Sequence, residues 1–369
     1  MNKIIDSVSN KARVAFLEAL QSSIWNRPIL PVLFDNLTRE DWSEIFRLSF
    51  HQTVEGHVAD AVSDLPENLM PPQDILLKWI VSLQRIEDRN LHMRKVISKL
   101  GRLFKDNHIR AILQKGHGVS LYYEKPEIRH GGDIDWFFIT KEDYRRAGKL
   151  ISEMEPTFRI APAYSSDYIF EEIVIEHHQR LIQLSNPFLS KYINSTIEEL
   201  SRKNIFIDFE GEYIEVPSPL LNIIQVNAHI LRHQVGYGIG LRQLCDSARL
   251  YYSFFGTYDG LELKQIYKNL GILGWINGFH KVLIDLIGLD EKKLPFPIEG
   301  DVNIEWMKEY IIKTGNFGFY DPDNPDIENP GGRVNRSARL FTNFRRFFPI
   351  APGESLFFPI VHVFSKVHH

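Results

Sequence analysis

The sequence predicts an α+β fold in which a small mixed sheet, with its own helices, is flanked by N-terminal and C-terminal helical regions. Apolar residues recur at helical spacing up to about residue 107 and again from about residue 218. Between these limits, short runs rich in β-branched and aromatic residues are bounded by glycine and proline, which is typical of strands. We therefore expect an N-terminal helical region at residues 1–107, an α/β core at 108–217 and a C-terminal helical domain at 218–369.

The composition is that of a globular protein. Of the 369 residues, 44% are hydrophobic and 24% are charged. The net charge of −4 argues against broad binding to nucleic acid, although a local basic patch is compatible with it. Cys245 is the single cysteine, which excludes an intrachain disulfide and a cysteine metal cluster and fits a reducing compartment.

The sequence predicts no membrane segment. The first 20 residues lack a continuous apolar stretch followed by a small-residue cleavage site. The most apolar C-terminal run, residues 356–364, is interrupted by Pro359 and His362 and is far shorter than the roughly 20 residues that span a bilayer. We expect a cytoplasmic protein without a membrane partner.

The N-terminal region is predicted to be helical throughout. Its first helix is indicated by apolar residues at helical spacing from Val14 to Ile24. Thr38 and Asp41 form a capping-box-like start for a second helix. A long amphipathic helix is expected at residues 74–105, and its polar middle, QRIEDRN, predicts a bend.

The period changes at Ile109, where the core begins. The expected elements, in order, are a strand IRAILQ, a short helix at 117–123, a strand GGDIDWFFI, a helix KEDYRRAGKLISEM capped by Thr140, a strand-rich stretch at 168–184 and a hairpin of IFIDFE and EYIEV around Gly211. The C-terminal region then has one helix over LLNIIQVNAHILRHQ, a second over GLRQLCDSARLYYSF and three or four more. The segment at 320–332, rich in proline, aspartate and glycine, is predicted to be a loop, with a lid as the alternative.

Two aspartates at the start of the second strand indicate a metal site. Asp133 and Asp135 are two positions apart, so their side chains point to the same face of a strand. Like charges on one face are costly unless a cation lies between them, and carboxylate oxygens are ligands that Mg²⁺ prefers. The alternative is a solvent-exposed strand end that follows a GGD turn.

The ordered motifs of the core resemble a known family. The resemblance extends from about residue 75 to at least 315 and rests on three groups of motifs in a fixed order. These are KG, YY, P, R and GDIDWFFI, then IEHHQRL, and then AHILRH with LRQLCDSARL. This arrangement resembles the polymerase-β-like nucleotidyltransferase superfamily and, within it, an uncharacterised bacterial nucleotidyltransferase family (the NTP_transf_5 type). The resemblance implies a polymerase-β-like core and an enzyme that transfers a nucleoside monophosphate from an NTP, with ATP favoured, to an acceptor hydroxyl.

The resemblance also implies the metal ligands. Two Mg²⁺ ions, or Mn²⁺, would be held by Asp133, Asp135 and a third carboxylate, for which Glu176 is the matching position. The family pattern there is closer to D-L-H-W, whereas this chain has Glu176-His177-His178-Gln179. This departure makes an inactive relative conceivable, and an exposed strand residue is the alternative for Glu176.

The turn before the short helix is predicted to hold the triphosphate. Backbone N–H groups of Gly116 and Gly118 at a helix N-terminus would form a phosphate cradle, and a simple turn is the alternative. Lys115 is expected to contact the triphosphate or to be a strand-end surface charge, and His117 belongs to the same nucleotide-binding turn. Arg129, just before GGDID, is expected to contact phosphate, to pair with an aspartate or to have a structural role.

Several further residues are possible accessory groups. His178 shares a strand face with Glu176, whereas His177 is expected to pack or to face solvent. His229 and His233 have the i, i+4 spacing of zinc ligands, but the glutamate of HExxH is absent, so packing near the nucleotide cleft or substrate contact is favoured. Arg242 is predicted to pair with Asp246 within one helix.

Three functions compete at this point. The leading hypothesis is a metal-dependent nucleotidyltransferase whose acceptor is a small molecule, a protein or RNA. The second is a catalytically inactive module that binds nucleotide or a partner and retains the fold. The third is modification of an RNA end, which a basic segment suggests because its arginines could bind phosphate: Arg333, Arg336, Arg339, Arg345 and Arg346. The net charge disfavours this function, and the solvent-exposed face of an amphipathic helix is the stronger interpretation of the segment.

Overall fold

Helices on both sides of a small mixed sheet form the chain in the computed structural model, which describes residues 10–155, 158, 165–300, 302–321 and 336–367. The helices up to the end of the sheet region are α1 Asn10–Ile24, α2 Arg39–His51, α3 Glu55–Val62, α4 Gln73–Asp106, α5 Gly116–Ser120, α6 Lys141–Met154 and α7 Ser190–Leu200. The later helices are α8 Pro219–Gly236, α9 Leu241–Ser253, α10 Gly260–Asn269, α11 Leu273–Val282, α12 Glu305–Thr314, α13 Arg336–Phe347 and α14 Pro352–Val367. The predicted α+β class is confirmed.

The main sheet is mixed and has the order β1-β2-β4-β3. Its strands are β1 Ile112–Gln114, β2 Ile134–Phe137, β3 Ser165–Phe170 and β4 Ile173–His178. β2 pairs antiparallel with β1 and parallel with β4, and β4 pairs antiparallel with β3. A separate hairpin of β5 Ile205–Phe209 and β6 Glu212–Val216 turns at Gly211, where φ is +85°.

The two faces of the main sheet belong to different cores. Ile112 and Phe137, on the face of Asp135, pack with apolar residues of both the N-terminal and the C-terminal helices. Leu113 and Trp136, on the opposite face, pack with residues of α4, α6 and the hairpin. The face that carries Asp135 is therefore turned toward the helical regions. The division into three domains stays a prediction.

Helix α4 is continuous over 34 residues, without a break in its polar middle, and the bend there stays a prediction. The polar middle contacts a neighbouring loop. Asn90 is buried, and its Nδ2 donates hydrogen bonds to the carbonyl oxygens of Glu127 (2.6 Å) and Arg129 (2.7 Å). Arg89 donates to the carbonyl of Gly132 at 2.9 Å. The polar run thus holds the loop that leads into β2.

Most element predictions agree with the structure. The described part of the C-terminal region has five helices after α9, from α10 to α14, where three or four were expected, and two further features were missed. The predicted capping box is confirmed, since Thr38 and Asp41 exchange side-chain-to-backbone bonds at the start of α2. Helix α7 was not predicted. The turn between β3 and β4 was also missed: Glu171 and Glu172 form it with φ of +47° and +67°, a conformation for which asparagine or glycine is the usual signal.

Some predicted features fall outside the described residues. Most of the predicted loop at 320–332 is among them, as is Arg333. Within the basic segment, Arg345 lies over the ring of Phe341 and Arg346 lies over Trp306 and Tyr310. Within the described ranges, no helix combines the length and apolarity that crossing a bilayer requires.

Candidate active site

Strand register brings the central acidic residues together. Asp135 on β2 lies opposite Glu176 on β4, and His178 is two positions further along the same face. His178 Nε2 is 2.7 Å from Asp135 Oδ1 and 3.1 Å from Glu176 Oε2. One ligand atom from each of the three residues lies within 4.8 Å of the others. Asp135 and His178 are buried, whereas the Glu176 side chain is 36% exposed.

Asp133, the residue before β2, belongs to the same negative cluster. The Asp135 carboxylate, together with burial and the nearby Glu176, raises the pKa of Asp133 from 3.8 to about 6. Lys115 and Arg242 act in the opposite direction and do not cancel the effect. Asp133 is outside the group of three ligand atoms within 4.8 Å, but its perturbed pKa shows that its negative charge is incompletely compensated.

Lys115 provides the charge closest to Asp135. Its Nζ is 3.2 Å from Asp135 Oδ1, and both side chains are largely buried. Burial alone would raise the pKa of Asp135, but the Lys115 ammonium and the hydrogen bond from His178 hold it well below its usual value. The Lys115 backbone has φ 49° and ψ −149°, a region that side-chain-bearing residues rarely occupy. Strain of this kind often accompanies functional sites.

The glycine turn lies against the strand that follows it. Gly116 has φ +26°, and a Cβ there would lie 3.3 Å from the carbonyl oxygen of Asp133. A Cβ on Gly118 would lie 3.3 Å from the carbonyl oxygen of Leu113. The first residues of α5, Gly116 to Gly118, direct backbone N–H groups outward from the helix start. Their use as a phosphate cradle remains a prediction.

The side chain of His117 packs the glycine turn against α4. It is buried, and Nε2 lies 3.3 Å from the sulfur of Met93. Burial lowers the pKa of His117 to about 3, so the ring is neutral at physiological pH. The place of His117 in a nucleotide-binding turn stays a prediction, and it would rest on the backbone N–H group.

Arg129 has the structural role that was one of its alternatives. It is 4% exposed and forms two hydrogen bonds of 2.7 Å to the Asp246 carboxylate, which also accepts from Tyr123 Oη at 2.6 Å. Asp246 binds the guanidinium in this way, and the predicted contact of Arg129 with phosphate stays a prediction. Asp246 lies on α9, so this pair ties the loop before β2 to the C-terminal helices.

Arg242 does not form the predicted hydrogen-bonded pair with Asp246. Its Nη1 donates instead to the carbonyl oxygen of His130 at 3.0 Å. The guanidinium is close enough to Asp133 to lower the pKa of that carboxyl. A Cβ on Gly132 would lie 3.8 Å from Nη1. Arg242 therefore brings positive charge from α9 to the edge of the acidic cluster.

Helix α8 turns two histidines toward the same region. The rings of His229 and His233 are 4.3 Å apart, and the Nδ1 atoms of both are buried without a hydrogen-bond partner among the described residues. Burial lowers the pKa of His233 to about 3 and that of His229 well below its usual value, with Lys115 adding to both effects. The described residues place neither histidine in a group of three potential metal ligands. Zinc binding is not supported.

His177 is on the other face of β4. It is 1% exposed and lies among Phe104, Phe138, Phe158 and Tyr168, and a hydrogen bond of 3.1 Å joins its Nε2 and Tyr168 Oη. The packing alternative for His177 is confirmed.

Other residues near the cluster were missed by sequence reasoning. Gln114 is fully buried opposite Asp135 in the strand register, and neither amide atom has a partner among the described residues. Gln183 and Arg232 lie behind His178. No local motif marks them, since their positions depend on how distant segments pack.

The donor set fits a divalent metal ion. Asp133, Asp135 and Glu176 provide carboxylate oxygens, the ligands preferred by Mg²⁺ and also accepted by Mn²⁺. A bound cation would compensate the charges of Asp135 and Glu176, which, together with burial, raise the pKa of Asp133.

Comparisons with known proteins give a family match. The model of a family described as uncharacterised nucleotidyltransferase matches residues 38–274. A solved structure of an antigenic nucleotidyltransferase-like protein from Paracoccidioides brasiliensis is similar to 52% of this chain and 92% of its own length, with 11% identity and a TM-score of 0.33. The search of curated proteins gave no match.

Proposed function

This chain belongs to the family of uncharacterised nucleotidyltransferases, and from that premise we propose that it is a metal-dependent enzyme that transfers a nucleoside monophosphate from an NTP to an acceptor hydroxyl. One observation carries the proposal. Asp135 on β2 lies opposite Glu176 on the parallel strand β4, and Asp133, which precedes β2 beside the turn at Gly116, is close enough to both carboxylates for their charges to raise its pKa. Their mutual repulsion favours binding of a cation at this point of the fold.

The three carboxylates would hold the metal. A bound Mg²⁺ or Mn²⁺ would neutralise charge on the phosphates and favour ionisation of the acceptor hydroxyl. Asp135 is fixed by Lys115 and His178, so its position requires little reorganisation when an ion binds. Glu176 is more exposed than Asp135, its partner in the strand register. This exposure favours contact between Glu176 and the incoming acceptor.

Cationic and backbone groups would bind the triphosphate. The N–H groups at the start of α5 provide donors for phosphate oxygens. Lys115 and Arg242 flank Asp133 and Asp135 with positive charge. The reaction needs charge stabilisation more than covalent chemistry, so groups of this kind at fixed positions are what the transfer requires.

The chemical step is an in-line substitution at the α-phosphorus. The acceptor oxygen forms a bond to this phosphorus while the bond from it to the bridging oxygen of the β-phosphate breaks, and pyrophosphate leaves. We assign the proton of the acceptor hydroxyl to Glu176, whose carboxylate faces solvent at the edge of the cluster. ATP is the favoured nucleotide.

A screen for modified acceptors tests this function. The protein is incubated with each of the four NTPs and Mg²⁺ or Mn²⁺, and the protein and candidate acceptors are then examined by mass spectrometry. We expect the mass of one nucleoside monophosphate to be added to an acceptor by the wild type and by Asp35→Asn, a control at an exposed position. Asp135→Asn is expected to abolish the addition. Equal modification by Asp135→Asn would refute the assignment of the site.

A second function has one observation in its favour. Lys115 and His178 already compensate the charge of Asp135 within the protein, as in a fold that retains the site without catalysis. Such a module would bind NTP tightly and form no product. Calorimetry of NTP binding with and without Mg²⁺, combined with a pyrophosphate assay, separates the two: binding without pyrophosphate release favours the module, and metal-dependent release favours the enzyme.

A further inference from the structure

His178 lies between the two strand-paired carboxylates and makes contacts with both ring nitrogens. Nε2 is within hydrogen-bond distance of Asp135 Oδ1 (2.7 Å) and Glu176 Oε2 (3.1 Å). On the other side of the ring, Nδ1 is 3.4 Å from Nε2 of Gln183. A neutral imidazole has one N–H donor and one acceptor nitrogen, so the neighbours on the two sides decide which nitrogen carries the hydrogen.

The orientation of the Gln183 amide is fixed by Arg232. Arg232 Nη1, on α8, donates to Gln183 Oε1, and a guanidinium has only donors. The amide oxygen therefore faces Arg232. The amide nitrogen faces the Arg180 carbonyl at 3.4 Å and His178 Nδ1. An –NH₂ group has two hydrogens, so it donates to both.

The two sides of the ring together determine the tautomer of His178. The carboxylate oxygens of Asp135 and Glu176 can only accept, so Nε2 carries a hydrogen, and Gln183 presents a donor to Nδ1, which is then the acceptor. We propose that His178 is a positioning residue, whose Nε2–H donates to Asp135 and Glu176 and whose Nδ1 is kept free of hydrogen by the Gln183 amide that Arg232 orients. This inference deepens the proposed function, on which its catalytic consequence rests.

Two consequences follow for the metal site. A histidine that ligates a metal usually donates its other N–H to a carboxylate or carbonyl, and Gln183 provides the opposite polarity. Of the three groups within 4.8 Å, the Asp135 and Glu176 carboxylates would bind the ion through oxygen. His178 would be the hydrogen-bond donor that aligns them. The second consequence is that helix α8 of the C-terminal region controls the geometry of carboxylates on the sheet, through Arg232, Gln183 and His178.

The tautomer can be observed without metal or nucleotide. Nitrogen-15 NMR on histidine-labelled full-length protein distinguishes an Nε2–H ring, an Nδ1–H ring and a ring with hydrogens on both nitrogens. The spectra are recorded in a pH series that extends well above the ordinary imidazole range, because hydrogen bonds to Asp135 and Glu176 raise the pKa of His178 despite its burial. The signal of His178 is identified by its loss in His178→Gln. We expect the Nε2–H form in the wild type. An Nδ1–H form would overturn the proposal.

Changing the polarity at residue 183 should place a hydrogen on Nδ1 as well. In Gln183→Glu the carboxylate still accepts from Arg232 but presents an acceptor to Nδ1, while Asp135 and Glu176 still require a donor at Nε2, so His178 is expected to carry a hydrogen on both nitrogens. Arg232→Met is the second variant, because it frees the Gln183 amide to rotate and to turn its oxygen toward Nδ1, and a partial gain of the Nδ1 hydrogen is expected. An unchanged Nε2–H signal in both variants would show that Arg232 and Gln183 do not keep Nδ1 free of hydrogen.

Binding of Mn²⁺ alone tests the positioning role. Loss of an outer-shell partner of a metal ligand typically costs 10- to 100-fold in metal affinity. We expect a loss of about that size in His178→Met, and recovery to within about threefold in His178→Gln, whose amide restores a donor. Equal losses in both variants, or a nitrogen hyperfine coupling of a directly bound imidazole in the Mn²⁺ EPR spectrum of the wild type, would overturn the proposal. If the wild type binds no Mn²⁺ while the predicted hydrogen positions are observed, the proposed function fails and the arrangement of Arg232, Gln183 and His178 stands.

Discussion

Substitution of Asp133 by asparagine should stabilise the metal-free protein. Asp133→Asn removes a negative charge and retains the shape of the side chain. The charge of Asp135, burial and Glu176 together raise the pKa of Asp133 from 3.8 to about 6. A carboxyl that titrates higher in the folded state than in the unfolded state destabilises the folded protein once it is ionised.

The magnitude follows from the difference between the two pKa values. Each pH unit between them corresponds to about 1.4 kcal/mol, which gives an upper limit of about 3 kcal/mol for Asp133 at pH 8. The side chain is half-buried, so solvent screens part of this interaction, and we expect a gain of about 1–2 kcal/mol for the variant. Substitutions that remove a catalytic group often make the protein more stable and less active.

The pH dependence has a definite sign. Well below pH 4 the carboxyl is protonated in both states, so Asp133 imposes no penalty there. The penalty grows as the pH rises from about 4 to about 6 and is complete above that range. The advantage of Asp133→Asn should therefore be small near pH 4, at most about 0.5 kcal/mol, and full at pH 8.

Urea denaturation with EDTA at both pH values measures the effect, with Asp35→Asn as the exposed control. At pH 8 we expect Asp133→Asn to unfold at a higher urea midpoint than the wild type, and near pH 4 we expect the two midpoints to be nearly equal. Excess Mg²⁺ should reverse the order, because the wild type then gains binding energy that the variant lacks. A variant that is less stable than the wild type at pH 8 in EDTA would refute the reasoning.

Three further predictions concern the structure around the site. Lys115→Gly should be about 1 kcal/mol more stable than Lys115→Ala, the reverse of the usual order, because only glycine relieves the strained backbone at φ 49°; equal urea midpoints would contradict this. Asp246→Asn should cost about 3–5 kcal/mol, since it leaves the buried Arg129 guanidinium without its counter-charge, and a loss below about 1 kcal/mol would show that Arg129 is not dependent on the pair. Gly131→Ala should cost about 1–3 kcal/mol, because the new Cβ would lie 2.7 Å from Asn90 Oδ1; thermal denaturation against Gly211→Ala, where the space is open, separates this clash from backbone strain.

The parts of the site that local pattern determines could be predicted from the sequence. Alternation along a strand places Glu176 and His178 on one face and His177 on the other, and this is what the structure has. The family match over residues 38–274 supports the predicted membership. The parallel pairing of β2 with β4, which sets Asp135 opposite Glu176, is a matter of topology that neither strand encodes alone.

The predictions that differ from the structure concern side chains whose contacts are made with residues far away in the sequence. Asp246 has an arginine four residues away on its own helix, but it binds Arg129, 117 positions earlier in the chain. His117 lies between two glycines and resembles an exposed turn residue, yet packing against Met93 buries it. The polar run in α4 suggested a bend because nothing in the sequence indicates that Asn90 binds the carbonyls of a loop about 40 positions later.

The most direct test of the central claim follows the label of the nucleotide. Wild-type protein, Mg²⁺ or Mn²⁺, an acceptor found in the screen and an NTP labelled at the α-phosphate or at the γ-phosphate are incubated together. We predict that the α-label appears on the acceptor and the γ-label in pyrophosphate, only with metal, and that Asp135→Asn loses at least about 100-fold in rate, as removal of a central catalytic group does. Transfer of the γ-label to the acceptor, or transfer of the α-label at an unchanged rate in EDTA or in Asp135→Asn, would contradict the account.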